Sequence, residues 1–291
     1  MSNFIINFKV YHLNSLKMKK ILVPTDFSEE AEHALKVAAQ LAKTYGSEIY
    51  LLHLLELPLQ EMDALHTYSE LPEAMFFMEM ANQKLDDLMT RDYLKGLSVN
   101  VTIKPINSSD VIVDQCHKLG ITMVAMGSHG SSGIQELFIG SFAEKVVRVC
   151  DVPVLVIKKD HDSFEINDFV FASDFKKESE HTYKQAVKIA KLFNAKIHLL
   201  MVNTVANFMI TTDAKKRIQA FIDGTPFKNH TVTIYNDESI ESGILNFSRE
   251  IDADLIGIST HGRQGLLHFL NGSISEDLVN HAKRPVITFK I

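Results

Sequence analysis

The feature that most constrains this chain is that it repeats itself. Residues 169–175 (FVFASDF) match residues 21–27 (ILVPTDF) at an offset of 148 (174 − 26). The same offset sets Asn194 on Gly46 and residues 197–202 (IHLLMV) on 49–54 (IYLLHL). Further on the offset falls to 132 (272 − 140), because the second copy is shorter in its middle. There residues 260–273 (THGRQGLLHFLNGS) match 128–141 (SHGSSGIQELFIGS), and 284–289 (RPVITF) matches 152–157 (VPVLVI). A period of roughly 140 residues is a duplicated domain rather than a solenoid repeat.

Each copy reads as alternating strands and helices. Residues 19–25 form a strand pattern that stops at Asp26. Ser28 is placed to cap a helix whose apolar face is Ala31, Ala34, Leu35, Ala38, Leu41 and Ala42, with Gly46 as its left-handed stop. A nearly all-apolar strand follows over 48–55. A Met- and Leu-rich helical region spans 61–95, with Met75, Met78 and Met80 expected as core filler. A third strand covers 98–104, then a helix capped by Ser108 or Ser109 and closed by Gly120. A fourth strand (121–126), a glycine stretch, a helix (142–150) and a fifth strand (152–157) complete the unit. Five strands alternating with helices imply an α/β fold, with a parallel sheet covered on both faces. The expected layout is an N-terminal extension (1–17) that packs poorly, a first domain (18–158), a polar linker (159–167) and a second domain (168–291).

Composition narrows the function classes. A chain of 291 residues, 46% hydrophobic and 23% charged, is an ordinary globular composition, and no apolar run reaches the length of a membrane helix. A net charge of −6 gives no general attraction for nucleic acid or an anionic membrane, so any phosphate site must be local. The two cysteines, Cys116 and Cys150, sit in apolar helical contexts and read as buried free thiols in a reducing, cytoplasmic compartment. No Cys/His spacing suggests a metal.

Chemistry concentrates at the stretch 124–141. Its strand ends in Gly127; Gly130 follows, and nine residues later come Gly140, Ser141 and a helix. Glycines admit an anion close to backbone N–H groups, and a helix N-terminus adds its positive dipole end. Residues 24–28 (PTDFS), Met126-Gly127-x-x-Gly130, nine residues, Gly140-Ser141 and residues 153–156 (PVLV) together resemble the universal stress protein family. Their G-x-x-G-x9-G-S spacing is that of its ATP-binding branch. The resemblance covers 18–291 as two copies. It implies two flavodoxin-like, Rossmann-like domains of five parallel strands in the order 3-2-1-4-5, with ligand at the switch point between the first and fourth strands. It further implies that Pro24, Thr25 and Asp26 line an adenosine site, with Asp26 as acceptor and the backbone of Leu54 against adenine. Met126, Gly127 and Gly130 would lie against ribose and phosphate. Gly140 and Ser141 would hold the terminal phosphates, with magnesium as a candidate bridge between them. Ile106 departs from the family, where glycine is common. Family dimers pair their fifth strands, so the two halves are expected to form an intramolecular pseudo-dimer; further homodimerisation stays open.

Plainer readings stand beside these. Asp26 could simply cap a helix, Gly127 and Gly130 could be turn residues, and Ser141 could be an N-cap. His129 recurs as His261 without a nucleophile beside it and reads as loop packing, with Phe138 and Ile139 anchoring the loop. The second copy keeps Asp174, Gly262, Gly272 and Ser273 but has Ser259 in place of Gly127, Ala172 in place of Pro24 and Arg263 in place of Ser131. A weaker or empty second site is expected. No P-loop lysine or kinase signature is present, so an ATP-binding regulator or nucleotide sensor is favoured over catalysis. The alternatives are a slow ATPase or phosphate-transferring enzyme, and an interaction module that binds no nucleotide.

Overall fold

The computed structural model describes residues 18–55, 71–105, 110–128, 141–260 and 282–291. The first half contains β1 (Lys20–Thr25), α1 (Glu29–Tyr45), β2 (Glu48–Leu55), α2 (Leu71–Met89), β3 (Val99–Pro105), α3 (Asp110–Leu119), β4 (Met123–Gly127), α4 (Ser141–Val149) and β5 (Val154–Ile157). The second contains β6 (Asp168–Ala172), α5 (Glu180–Phe193), β7 (Lys196–Asn203), α6 (Thr211–Asp223), β8 (His230–Asn236), α7 (Ile240–Glu250), β9 (Leu255–Thr260) and β10 (Val286–Lys290).

All ten strands form one sheet, in the order β3-β2-β1-β4-β5-β10-β9-β6-β7-β8. Every neighbouring pair is parallel except β5–β10, which is antiparallel with Val156 opposite Val286 and Leu155 opposite Ile287. The fifth strands of the two repeats thus meet at the centre, each covering the edge the other would leave open.

Period-2 alternation sorts the strands between two cores. Ile21 and Val23 belong to one buried cluster with α1, α2, α5 and α6, whereas Leu22 belongs to the other with α3, α4 and α7. Capping fixes the helices as their sequence suggests. Ser28 Oγ accepts the Ala31 N–H at 3.2 Å, and three glutamates occupy the first turn of α1. Gly46 (φ 68°) and Asn194 (φ 57°) end α1 and α5 in the left-handed conformation. Residues 160–164 are held against α1: Lys36 pairs with Asp160 at 2.8 Å, while the Gln40 amide donates to His161 O at 2.8 Å and accepts from Phe164 N at 2.7 Å. Across the halves, the Tyr45 hydroxyl donates to Leu192 O.

One sequence expectation fails. Met75 is 69% exposed and Met78 and Met80 are exposed too, so these methionines are not core filler. Among its described residues, those of α2 that are buried are Ala81, Leu85 and Leu88, toward its C-terminal end. Cys116 and Cys150 are buried free thiols, as expected. Residues 1–17, 61–70, Ile106, the Ser108/Ser109 cap, and the loop residues His129, Ser131, Phe138, Ile139, His261 and Arg263 lie outside the described residues.

Candidate functional site

The strand order makes β1 the point where the first repeat reverses direction, with β2 on one side and β4 on the other. Ligands of open α/β sheets lie at the carboxyl ends of strands at such a point. Pro24 and Thr25 end β1, and Asp26 follows at once. The β1–β4 register sets Ile21 opposite Met123 and Leu22 opposite Val124; continued at the same step (123 − 21), it brings Thr25 level with Gly127. On the other side Thr25 pairs with His53, which places Leu54 next along β2. Met126 is buried in β4, and Ser141 opens α4. The sequence-selected Pro24, Thr25, Asp26, Leu54, Met126 and Gly127 therefore share one end of three adjacent strands. Gly130, Gly140, Gly262, Gly272 and Ser273 lie outside the described residues.

The turn after β1 is tightly specified. Thr25 Oγ1 accepts the Phe27 N–H at 3.1 Å. Asp26 Oδ1 accepts from Ser28 N at 3.1 Å and from Ser28 Oγ at 2.6 Å. One serine thus caps α1 and also orients the carboxylate. Phe27 has φ 67°, a left-handed conformation that costs a bulky residue of order 1–3 kcal/mol. Its ring meets the His53 imidazole with centroids 4.5 Å apart, and Lys84 Nζ of α2 lies 5.2 Å from the Phe27 ring centroid. His53 Nδ1 lies 2.8 Å from Thr25 O; a carbonyl only accepts, so Nδ1 carries the proton. Burial pushes the His53 pKa down, against the opposing effects of that hydrogen bond and of Asp26, so the ring is neutral at neutral pH. Beside this turn, between α1 and α2, lies a cleft of about 470 Å³ lined in part by Thr25, Phe27, Ser28, Lys84 and Arg91. Arg91 is itself paired with Glu32 and Asp87, each at 3.3 Å.

Gly127 is glycine for a reason of space. A β-carbon there would lie 2.7 Å from the carbonyl carbon and oxygen of Glu30 and 2.9 Å from its Cβ. The first turn of α1 rests directly on the end of β4.

The second repeat keeps the turn and changes its chemistry. Ser173 Oγ accepts the Phe175 N–H at 3.0 Å, and Phe175 is again left-handed, at φ 54°. Asp174, however, is paired with the ammonium of Lys176, Oδ2 to Nζ 2.9 Å, where the first repeat has Ser28. α5 begins only at Glu180, after a 3-10 turn over Lys177–Ser179. Ser259 finds room there: its hydroxyl hydrogen-bonds Thr182 Oγ1 at 2.7 Å. Thr182 stands where α1 has Ala34 (182 − 148), so positions that hold alanine and glycine in one half hold a Thr/Ser hydrogen bond in the other.

Sequence reasoning passed over Phe27, His53, Lys84 and Lys176. The signal for Phe27 was its recurrence as Phe175 after a repeated aspartate. Lys84 gave no signal, because it reaches the turn from a separate helix.

Comparison with known proteins agrees with this architecture. The sequence model of the Universal stress protein family matches residues 17–158 and 225–290. The universal stress protein MJ0577 of Methanocaldococcus jannaschii is 30% identical over 160 residues, covering 50% of this chain and 98% of that protein. The universal stress protein Slr1230 of Synechocystis is 21% identical over 295 residues, covering 94% of this chain and 100% of that one. Among solved structures, a universal stress protein from Archaeoglobus fulgidus superposes with a TM-score of 0.72 at 22% identity, covering 94% of this chain and 97% of that chain. With the family model matching both repeats over more than half of the chain, and the fold shared with a solved universal stress protein, this chain belongs to the universal stress protein family.

Proposed function

We propose that this chain is a cytoplasmic stress-response regulator or nucleotide sensor that binds one adenine nucleotide, ATP, at the β1–β4 crevice of its first domain (18–158). The second domain (168–291), joined by the linker 159–167, binds weakly or not at all. The observation that carries the reading is the Asp26 turn. Its carboxylate is held by Ser28 at the switch point of a parallel sheet, level with the end of β4. That is an acceptor suited to an adenosine hydroxyl or amine. Pro24, Thr25 and the Leu54 backbone would border the base, and Met126, Gly127 and Gly130 the ribose and first phosphate. Gly140 and Ser141 would receive the outer phosphates at the α4 N-terminus. Magnesium accompanying the nucleotide would be bound by phosphate oxygens and water.

The residue set fits a binder. Asp26 orients a ligand group through a fixed acceptor, and His53 is engaged with Thr25 O through the nitrogen that carries its proton. Among the described residues, no helix is long and apolar enough to cross a membrane.

The experiment is mass analysis of nucleotide retained by the purified protein, counted per chain, with calorimetric titration of ATP and magnesium. Asp26→Ala is expected to lower affinity at least about tenfold, a loss of roughly 1.4 kcal/mol, while the chain stays folded. Absence of both retained nucleotide and binding heat overturns the proposal in favour of an interaction module. Steady ATP turnover that disappears in Asp26→Ala would move it to the ATPase reading.

A further inference from the structure

Two thiols lie apart from this site and have no role in it. Cys116, in the last turn of α3, and Cys150, the residue after α4, face each other with their sulfurs 4.0 Å apart. They are only 3% and 1% exposed. A disulfide needs about 2.05 Å, so roughly 2 Å of sulfur movement separates this contact from a covalent bond, a distance on the scale of side-chain rotation and small backbone adjustment. The adjoining residues meet across the same two segments. His117 Nε2 and Asp151 Oδ2 meet at 3.0 Å, so two successive cross-contacts share one separation in sequence (150 − 116 and 151 − 117). Lys290 of β10 closes the same corner, donating to Val149 O at 3.1 Å and to Asp151 Oδ1 at 2.5 Å.

The thiols are unequal. Donation from Cys116, the Val152 N–H and the Lys290 charge hold Cys150 below the usual thiol range, against the cost of burial. The hydrogen bond to Cys150, together with burial, holds Cys116 above it. Oxidation of either thiol needs local opening, and Cys150, though no more exposed than Cys116, borders a helix end. It lies one residue past the last helical turn, beside Asp151, whose side chain is 47% exposed. Fraying of the α4 end would open it to a small oxidant.

We propose that Cys116 and Cys150 form a reversible intramolecular disulfide, a modification site that staples the last turn of α3 to the α4–β5 junction. With hydrogen peroxide as oxidant, the Cys150 thiolate sulfur attacks one peroxide oxygen and the O–O bond breaks. Cys150 becomes a sulfenic acid, and the departing hydroxide takes a proton to leave as water. The Cys116 sulfur then attacks the Cys150 sulfur, the S–O bond breaks, and a second water leaves with the Cys116 proton. Two thiols give up two electrons, and one peroxide becomes two waters.

The test uses the full chain with no nucleotide added, so it stands apart from the binding proposal. The native protein is treated with hydrogen peroxide, quenched, and its remaining thiols alkylated after unfolding. The expected result is a product two hydrogens lighter that travels as a single chain without reductant. A digest should contain the Cys116 and Cys150 peptides joined, and dithiothreitol should restore both thiols. In Cys116→Ala the reaction is expected to stop at the Cys150 sulfenic acid, trapped by dimedone; in Cys150→Ala, Cys116 should remain alkylatable. Two alkylatable thiols after treatment overturn the proposal. So do cross-links found only between chains, and a bridge that forms only when peroxide is added to the unfolded protein.

Discussion

Gly127→Ala is the sharpest perturbation of the site, because a single methyl tests why that residue is glycine. The added carbon would sit 2.7 Å from two main-chain atoms of Glu30, where ordinary contact starts near 3.4 Å, an overlap of about 0.7 Å (3.4 − 2.7). The atoms it meets cannot swing aside as a flexible side chain would. They belong to the first turn of α1, which is tied down by Ala31 N–H to Ser28 Oγ at 3.2 Å and Glu32 N–H to Ser28 O at 3.1 Å. Overpacking of this kind costs about 1–3 kcal/mol, and weakening the Ser28 cap adds up to about 1 kcal/mol. At roughly 2–4 °C per kcal/mol for a domain of this size, thermal unfolding followed by circular dichroism, without nucleotide, should show a drop of several degrees. Ser259→Ala is the matched control in the second repeat. It removes one hydrogen bond to Thr182, whose hydroxyl still donates to Ser179 O at 2.7 Å, and should cost only about 0.5–1.5 kcal/mol. Gly127→Ala unfolding within about 1 °C of the parent would refute the packing argument. If that stable variant had also lost nucleotide binding, the glycine would be serving the ligand alone.

Further expectations concern pH, the second repeat and the joint between the halves. Burial lowers His53 below its ordinary 6.5 in the fold, so the unfolded chain binds the proton more readily. The associated stability is whole above 6.5 and is lost as pH falls through the lowered folded value. His53→Asn should therefore flatten the decline of the unfolding midpoint on the acid side of neutrality, and an unchanged slope would rule His53 out as its source. Lys176→Ser removes the ammonium from Asp174 and restores the residue the first repeat has at that place. On the proposed binding reading, calorimetry should show nucleotide stoichiometry rising from one toward two per chain, and a stoichiometry fixed at one would put the block elsewhere in the second repeat. Lys290→Met breaks the bridge from β10 to Asp151 and Val149 O. Its partner is about half exposed, so the cost should be only about 1 kcal/mol in urea unfolding near neutral pH. The Lys290 hydrogen bond holds Asp151 below its ordinary 3.8. That contribution is present above 3.8 and lost as pH falls through the lowered value, so parent and variant should converge in acid.

The fold was legible because its signals are local and repeated. Ser28, Gly46 and Asn194 act at helix ends through their own backbone geometry, and the apolar strands carry their faces in their alternation. The pairing of β5 with β10 followed from the duplication together with the family resemblance, since each repeat leaves the same edge open. The methionines of α2 were misread because composition alone cannot say which face of a helix is covered; the helix seats Leu85 and Leu88 and turns Met75 outward. At the site, Asp26 and Gly127 were found by pattern, but the role of Gly127 was not. The clash that demands glycine involves Glu30, 97 residues away (127 − 30), and only the register of β1 against β4 brings the two together. Lys84 and His53 meet Phe27 from two other elements, which no spacing rule connects.

The comparison between repeats decides how much weight each feature of the turn can bear. Both halves keep the aspartate, the left-handed phenylalanine and the hydroxyl that accepts its N–H, at 3.1 Å in one and 3.0 Å in the other. Strain held at matching positions invites a functional reading. Yet the second half holds the same strain while its aspartate is occupied by Lys176 and its first helical turn is replaced by a 3-10 turn. The shared backbone shape is therefore sufficiently explained by closing a β–α unit, and it cannot by itself argue for a ligand. What argues for one is the set of differences: Ser28 against Lys176, Gly127 packed against Glu30 in place of the Thr182–Ser259 hydrogen bond, and His53 against Met201. All three lie at or beside the carboxyl ends of β1, β2 and β4 and of their counterparts in the second half. In the first half, α1 starts early and rests on β4, with its capping serine bonded to the carboxylate. In the second, the serine that precedes α5, Ser179, reaches the carboxylate only at 3.5 Å, an ammonium sits on it at 2.9 Å, and the Thr182–Ser259 hydroxyl pair lies near the end of β9. Asymmetry at the carboxyl ends of the switch-point strands is what one binding repeat and one supporting repeat would produce, and it is why the proposed nucleotide is assigned to the first.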